Sequence, residues 1–137
     1  MFAQIGQGLG STVGNIQEMR GLEFEQFLAG QFKEKGFQVI LTKASGDFGA
    51  DLVVETPSGT RAAVQAKRFK SRVNLKAVQE VVASISHYAA DFGIVIAASG
   101  FFPSAVELAK SNQVELWDED KLFRFISGDW TFSMLAD

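Results

Sequence analysis

Cysteine is absent from the chain, and histidine occurs once. The first absence excludes a disulfide framework and any thiolate metal site, and it is compatible with a reducing compartment. The single histidine, His87, lies outside the predicted apolar face of its helix, so we expect no metal cluster or general acid built on histidine. Long apolar runs are also lacking, because the longest, Ile94–Ala98, is far below the roughly 20 residues that a membrane span needs.

The N-terminus shows neither the basic start nor the apolar stretch of a secretory signal. We therefore expect a cytoplasmic protein, with no membrane contact through this chain. No glycine-rich phosphate loop with a lysine precedes a helix, so an NTPase is not supported. No serine stands in the strand-to-helix context of a nucleophile elbow, so a serine hydrolase is not supported either.

Basic residues are slightly outnumbered, with 13 Lys and Arg against 16 Asp and Glu, for a net charge of −3. A protein that holds nucleic acid by charge alone is usually basic, so the distribution of charge matters more than its sum. Five basic residues fall close together with no acid among them: Lys67, Arg68, Lys70, Arg72 and Lys76. By itself this run is either a solvated surface or a phosphate-binding surface.

The length and the bulky side chains predict one domain with one core. The chain has 137 residues, of which 47% are hydrophobic, and it contains 13 Phe and two Trp. We expect a flexible N-terminal arm over residues 1–14, a globular domain over residues 15–127 and a C-terminal tail over residues 128–137.

Hydrophobic periodicity and turn residues predict an α/β fold. The element order is αβββαβαβα, and it predicts a mixed five-stranded sheet flanked by helices. The predicted helices and strands are, in order, Asn15–Lys35, Phe37–Thr42, Ala50–Glu55, Arg61–Phe69, Asn74–Ala90, Gly93–Ala98, Pro103–Ser111, Val114–Trp117 and a final helix capped by Asp118 that runs to Ile126. The second helix carries a predicted apolar face: Leu75, Val78, Val82, Ile85 and Ala89.

The hairpin formed by the second and third strands places three polar side chains together. Side chains on a strand alternate between faces, so Gln65 and Lys67 point the same way. A three-residue loop centred on Ser58, with Gly59 in the left-handed position, sets Asp51 opposite Gln65. A slip of one residue would move Asp51 to the other face. The predicted register therefore brings Asp51, Gln65 and Lys67 to one patch.

Such a patch is suited to a divalent cation. A carboxylate, an amide oxygen and a backbone carbonyl, for which Ala66 is the candidate, are hard ligands that suit Mg²⁺ or Mn²⁺. Lys67 would stabilise negative charge on a phosphoryl group or orient an attacking water. Glu25 falls on the apolar side of the first helix, where it is either an outer metal ligand or a boundary residue that reaches solvent.

These segments resemble the Mrr-type catalytic domain, a branch of the PD-(D/E)xK restriction-endonuclease-like superfamily. The likeness lies in Gly21-Leu22-Glu23-Phe24-Glu25, Gly46-Asp47-Phe48-Gly49-Ala50-Asp51 and Val64-Gln65-Ala66-Lys67. It continues through Val78-Gln79-Glu80 and Ser99-Gly100-Phe101-Phe102, and it covers roughly residues 21–125. The resemblance implies a nuclease that uses Mg²⁺ to hydrolyse DNA phosphodiesters in restriction or DNA repair.

By that resemblance Asp51, Gln65 and Lys67 take the catalytic positions and Glu25 the helix acid. Gln65 is neutral where much of the superfamily carries an acid, which implies weaker metal binding. Asp47 is either a second acid or a turn residue, and Gln79 either touches the site or lies on the surface. The resemblance favours DNA contact for Arg68, Lys70, Arg72 and Lys76.

Three alternatives and several partners stay open. The chain is a DNA endonuclease, a structure-specific resolvase of branched DNA such as a Holliday junction, or a non-catalytic module that keeps the nuclease fold and binds DNA or a protein. A resolvase would need a homodimer. In the family, the catalytic domain is often joined to a recognition domain. This sequence shows no obvious segment for one, so we expect recognition by a separate domain or by a partner subunit.

Overall fold

The computed structural model of the protein describes residues 21–42, 49–68 and 71–136. Its helices are α1 (Gly21–Glu34), α2 (Leu75–His87), α3 (Pro103–Lys110) and α4 (Glu119–Ile126), and its strands are β1 (Gln38–Leu41), β2 (Leu52–Glu55), β3 (Arg61–Ala66), β4 (Phe92–Ile96) and β5 (Val114–Trp117). A short 3-10 helix follows at Met134–Ala136. Within those ranges, no helix has both the length and the apolar character of a membrane span.

The five strands form one mixed sheet, as the sequence predicts. The spatial order is the chain order, β1-β2-β3-β4-β5. The first three strands are an antiparallel meander, while β4 and β5 run parallel to β3. Helices α2 and α3 make the two parallel crossovers, which require long connections. The carboxyl ends of β3, β4 and β5 therefore meet at one edge of the sheet, where open α/β sheets bind their ligands.

The hairpin between β2 and β3 adopts the predicted register. Leu52 pairs with Val64 and Glu55 with Arg61, so the turn is centred on Ser58. Gly59 has a φ of 98°, in the left-handed region that glycine tolerates. The prediction that β3 extends to residue 69 is wrong, because the strand ends at Ala66.

Helices cover both faces of the sheet, so the apolar core consists of two layers, one on each face. Helices α1 and α4 pack on one face around Trp117 and Phe125, and helices α2 and α3 pack on the other around Val78 and Val95. Strand β4 is buried along its whole length, as its run of apolar residues predicts. The segment 128–136, predicted as a C-terminal tail, places Leu135 in the first of these layers.

The buried face of α2 differs from the predicted apolar stripe. Leu75 is exposed, whereas the buried residues of the helix are Ala77, Val78, Val81 and Ser84. The reason is a close approach to the sheet: a β-carbon on Gly93 of β4 would come within 3.2 Å of Val81. Small side chains allow this approach, so Ala77 and Ser84 are buried, while Val82 and Ile85 of the predicted stripe are partly buried and pack against the same core layer.

Candidate metal and phosphate site

Asp51 lies at a bend immediately before β2. Its backbone N–H donates to the carbonyl of Val64 at 2.8 Å, although Leu52 is the strand partner of Val64. Two residues therefore oppose one, as in a β-bulge, and such a bulge redirects the side chain of the extra residue. The Asp51 carboxylate, through Oδ2, accepts a hydrogen bond of 2.8 Å from the N–H of Ala66. The predicted direct pairing of Asp51 with Gln65 is thus replaced by a contact with the next residue of β3.

Gly49 allows the backbone at this bend to pack closely against the backbone of helix α2. It has a φ of 79°, and a β-carbon at this position would overlap the backbone carbonyl of Glu80. Thr42 closes the other side, since its N–H donates to the carbonyl of Asp51 at 3.1 Å. The position of the Asp51 carboxylate thus depends on a close backbone approach that only glycine permits.

Gln65 is the buried polar group of this region. It is only 5% exposed, and its side-chain Oε1 has no hydrogen-bond partner among the residues that the structure describes. A buried carbonyl oxygen without a protein partner is costly, so this oxygen is suited to bind a water molecule or a cation. The neighbouring Ala66 directs its N–H towards Asp51. Because the N–H and C=O of one strand residue point the same way, its carbonyl lies on that side too.

Lys67 follows the end of β3 and meets an acid of α2. Its Nζ lies 3.7 Å from Oε1 of Glu80. The sequence left open whether Gln79 touches the site or lies on the surface; Gln79 is exposed, and its neighbour Glu80 lies beside Lys67. The small residues Ala77 and Ser84 mark the face of α2 that packs on the sheet, and Glu80 lies at the edge of that face. This pattern of small residues is the sequence signal that could have identified Glu80.

Two carboxylates are held where burial disfavours their charge. Burial raises the pKa of Asp51; the hydrogen bond from Ala66 and the charge of Lys67 lower it, and Glu80 raises it further. The pKa of Glu25, on helix α1, is raised by burial and by the negative charge of Asp51. Glu23 is exposed, so Glu25 is the acid of α1 that faces this region. A cation beside Asp51 and Glu25 would offset both effects.

The basic residues of the run from Lys67 to Lys76 do not all line the same cavity. Arg72 and Lys76 line a cavity of about 420 Å³ together with Lys67, Glu80 and the start of α2. Arg68 is half-buried and does not line it. Lys70, like the candidate acid Asp47, lies outside the described residues, as do the predicted N-terminal arm and the predicted start of the first helix at Asn15.

The oxygen donors of the region fit a hard divalent cation. Within residues 21–42, 49–68 and 71–136, no three His, Cys, Asp or Glu side chains are close enough together to hold a metal by themselves. A site here would combine the Asp51 carboxylate with neutral oxygens, namely Oε1 of Gln65 and the carbonyl of Ala66. Asp51 Oδ1 makes no hydrogen bond to any described residue, which leaves it available to a cation. The donor set is the one that Mg²⁺ and Mn²⁺ prefer.

Comparison with known proteins adds a family and a fold. Residues 16–126 match the Mrr_cat family, described as restriction endonuclease. No curated protein matches the sequence of the chain.

Three solved structures share the fold. A protein of unknown function, AF1548, has a TM-score of 0.57 and 16% identity over 69% of this chain and 55% of its own. A repair endonuclease from Pyrococcus abyssi has a TM-score of 0.50 and 20% identity over 67% of this chain and 42% of its own. An EndoMS–dsDNA2 complex has a TM-score of 0.52 and 18% identity over 68% of this chain and 41% of the EndoMS chain. The match thus spans roughly half, or less, of each of these larger chains.

Proposed function

Because this chain belongs to the Mrr_cat family of restriction endonucleases, we propose that it is an endonuclease that hydrolyses phosphodiester bonds of DNA with the help of a divalent cation. The observation that carries this proposal is the hydrogen bond from the N–H of Ala66 to the carboxylate of Asp51. It ties the acid to the strand segment that bears Gln65 and Lys67. One carboxylate and one unsatisfied amide oxygen are thereby available to a cation, beside one ammonium group that can contact a phosphate.

We assign the residues the following roles. Asp51, Gln65 and the Ala66 carbonyl hold Mg²⁺ or Mn²⁺, and Glu25 acts as an outer ligand. The cation supplies Lewis-acid chemistry at a phosphoryl oxygen. Lys67 stabilises the negative charge that develops on the phosphate as water adds and the ester oxygen leaves. Glu80 is a positioning residue, since its contact with the Lys67 ammonium limits where that side chain can point.

DNA as the substrate is supported by charge and by the relatives. Lys67, Arg72 and Lys76 line one cavity, and Lys67 also acts on the charge of Asp51, although the whole chain is acidic. Contacts from Lys and Arg to phosphates supply most of the sequence-independent affinity for DNA. Two of the similar structures are a repair endonuclease and an EndoMS complex with double-stranded DNA. A setting in restriction or DNA repair is consistent with these names.

The first test is cleavage by the parent chain and by Lys67→Ala. Supercoiled, linear, single-stranded and branched DNA are incubated with Mg²⁺, Mn²⁺ or EDTA. We expect metal-dependent cutting by the parent and a rate lower by about 10²-fold for Lys67→Ala, because one stabilising group at the reacting phosphate is lost. Lys33→Ala, an exposed lysine of α1, serves as the control and should cut like the parent.

The proposal is abandoned if the parent cuts no substrate in either metal. Metal-independent DNA binding without cutting would then favour a non-catalytic module that retains the fold. Cutting that persists in EDTA would reject the role of the cation, and equal rates for the parent and Lys67→Ala would reject the role of Lys67.

Gln65 offers a separate test of the metal site. We expect Gln65→Glu to bind Mn²⁺ about tenfold more tightly than the parent, because ligand charge tunes the affinity of oxygen sites for hard cations. Isothermal titration calorimetry measures this without DNA. Gln79→Glu adds the same charge at an exposed position of α2 and should leave the affinity unchanged. Unchanged or weaker binding by Gln65→Glu would show that this side chain is not a ligand.

We expect this domain alone to cut DNA, whereas selection of a base sequence requires more than this domain in our proposal. The chain spans 55%, 42% and 41% of the three similar structures. We propose that a further domain, a partner subunit or a second copy of the chain reads the base sequence of the DNA. Solution mass distinguishes a homodimer, which a branched-DNA resolvase would need, from a monomer.

A further inference from the structure

Two loops beside the proposed active site are joined by backbone hydrogen bonds. Val73, just before α2, forms a parallel bridge with Phe101, just before α3. The N–H of Val73 donates to Gly100 at 2.9 Å, and the N–H of Phe102 donates to Val73 at 2.9 Å. These bonds hold Arg72 and Phe102 in a defined relation to each other.

The two phenylalanines that follow Gly100 have different environments. Phe101 is half-buried and packs against the core layer that contains Val78. Phe102 is 40% exposed, and the guanidinium carbon of Arg72 lies 4.8 Å from the centre of its ring. Phe101 therefore anchors the loop, whereas Phe102 presents an aromatic ring to solvent with a cation stacked on it.

Arg72 also connects this ring to the basic cavity of about 420 Å³ that contains Lys67 and Lys76. Within the part of the chain that the structure describes, neither Arg72 nor Lys76 forms an ion pair. The one acid that lines the cavity, Glu80, lies beside Lys67. The cavity thus retains positive charge that no described acid pairs with, at the place where Arg72 meets an exposed aromatic ring.

We propose that this combination is a nucleotide subsite, in which the cavity takes a DNA phosphate and the Phe102–Arg72 pair takes an unpaired base. This inference rests on the proposed function and specifies its substrate class. A base within a paired duplex is stacked on both faces and offers none to a protein ring, whereas an unpaired base can stack on an aromatic ring or a guanidinium plane. The preferred substrate is DNA with an unpaired nucleotide next to the phosphate that is cut.

The test measures DNA binding in EDTA by fluorescence anisotropy, so that cleavage does not interfere. The probes are a fully paired duplex, the same duplex with one unpaired nucleotide, and a single strand. We expect the parent to prefer the two probes with unpaired bases. Phe102→Ala should weaken binding to those two about tenfold and leave the paired duplex unchanged, because stacking on one aromatic ring is lost.

Further variants separate stacking from folding. Phe102→Trp should keep the preference, and its fluorescence should change when a probe with an unpaired base binds. Phe102→Leu keeps apolar volume without an aromatic face, so it should behave like Phe102→Ala even if the alanine variant is poorly folded. Met134→Ala removes another exposed apolar side chain, on the segment beside the β2–β3 turn at the far end of the sheet, and should bind like the parent.

Arg72→Ala should weaken binding to all three probes, because it removes a phosphate contact, and it should reduce the salt dependence of binding by about one counterion.

Equal loss on paired and unpaired DNA for Phe102→Ala and Phe102→Leu, or no loss on either, would overturn the subsite. If the parent shows the preference but never cuts DNA, the proposed nuclease activity fails and the subsite stands. If the parent cuts DNA and Phe102→Leu has no effect on binding, the subsite alone fails.

Discussion

Asn in place of Asp51 should lower DNA cleavage by about 10³-fold, the upper range for loss of one polar group at a reacting centre, and should also stabilise the metal-free chain. The amide can still accept the hydrogen bond from the N–H of Ala66, so the bend before β2 is preserved. It cannot supply the negative charge that a divalent cation needs. Cleavage rates in Mg²⁺ and thermal unfolding in EDTA measure the two effects.

The gain in stability follows from the pKa of Asp51, which burial raises above its ordinary value. The folded chain then holds the proton more tightly than the unfolded chain, so stability falls as pH rises between the ordinary and the raised pKa. At neutral pH the charged Asp51 is destabilising, and Asp51→Asn should gain about 1 kcal/mol, as replacements of functional charges commonly do. The gain should disappear in acid, where Asp51 is protonated.

Asp91→Asn is the matched control, because Asp91 Oδ2 accepts a backbone hydrogen bond of 2.8 Å from Arg61 near the far end of the sheet. It should cut DNA like the parent. Mg²⁺ should raise the unfolding temperature of the parent and of Asp91→Asn but not that of Asp51→Asn, because a ligand stabilises only the form it binds. Equal stabilisation of all three by Mg²⁺ would place the metal away from Asp51.

Gly49→Ala should destabilise the protein and impair cleavage together. The alanine must adopt a φ of 79° and its β-carbon would overlap the carbonyl of Glu80. Left-handed strain and overpacking sum to about 3 kcal/mol. If the bend shifts to relieve the overlap, the Asp51 carboxylate moves with it, and a displacement of about 1 Å can reduce a rate by about 10²-fold. Chemical unfolding and single-turnover cleavage measure these losses.

Gly59→Ala separates conformational strain from overpacking. Gly59 has a φ of 98° in the β2–β3 turn, but a β-carbon there would meet no atom within 4 Å. We expect a loss of about 1 kcal/mol from the left-handed conformation alone, with unchanged cleavage. Similar losses for the two alanine variants would mean that the approach of Gly49 to α2 is not a constraint on the site.

The β2–β3 hairpin shows what local sequence is able to predict. The register depends on the turn residue Gly59 and on strand alternation, and both act within a short stretch of chain. The predicted register of the hairpin was sufficient to predict that Asp51 lies near Gln65 and Lys67. The β-bulge at Asp51 was not predictable, because it depends on where Gly49 and Thr42 fix the chain outside the strand.

Helix α2 shows the opposite case. Its apolar periodicity favoured a face through Val82 and Ile85, which are only partly buried in the core layer, whereas Ala77 and Ser84 are fully covered. Glu80, at the edge of this buried face, is the neighbour of Lys67, and the sequence did not indicate that contact. Side-chain hydrophobicity alone did not indicate how closely the helix approaches the sheet, because that distance depends on Gly93 and on small residues in other elements.

The amino-acid sequence by itself determined the order of the elements, the mixed five-stranded sheet, the hairpin register and the segments that resemble the Mrr-type domain. These depend on periodicity, turn residues and spacing, which are properties of neighbouring residues. Only the tertiary structure decided that the Asp51 carboxylate bonds to Ala66, that Gln65 Oε1 is buried, that Glu80 meets Lys67, and that Phe102 is the exposed phenylalanine beside Arg72. Each of these depends on how segments distant in the chain pack together, which the close packing of helices against the sheet sets.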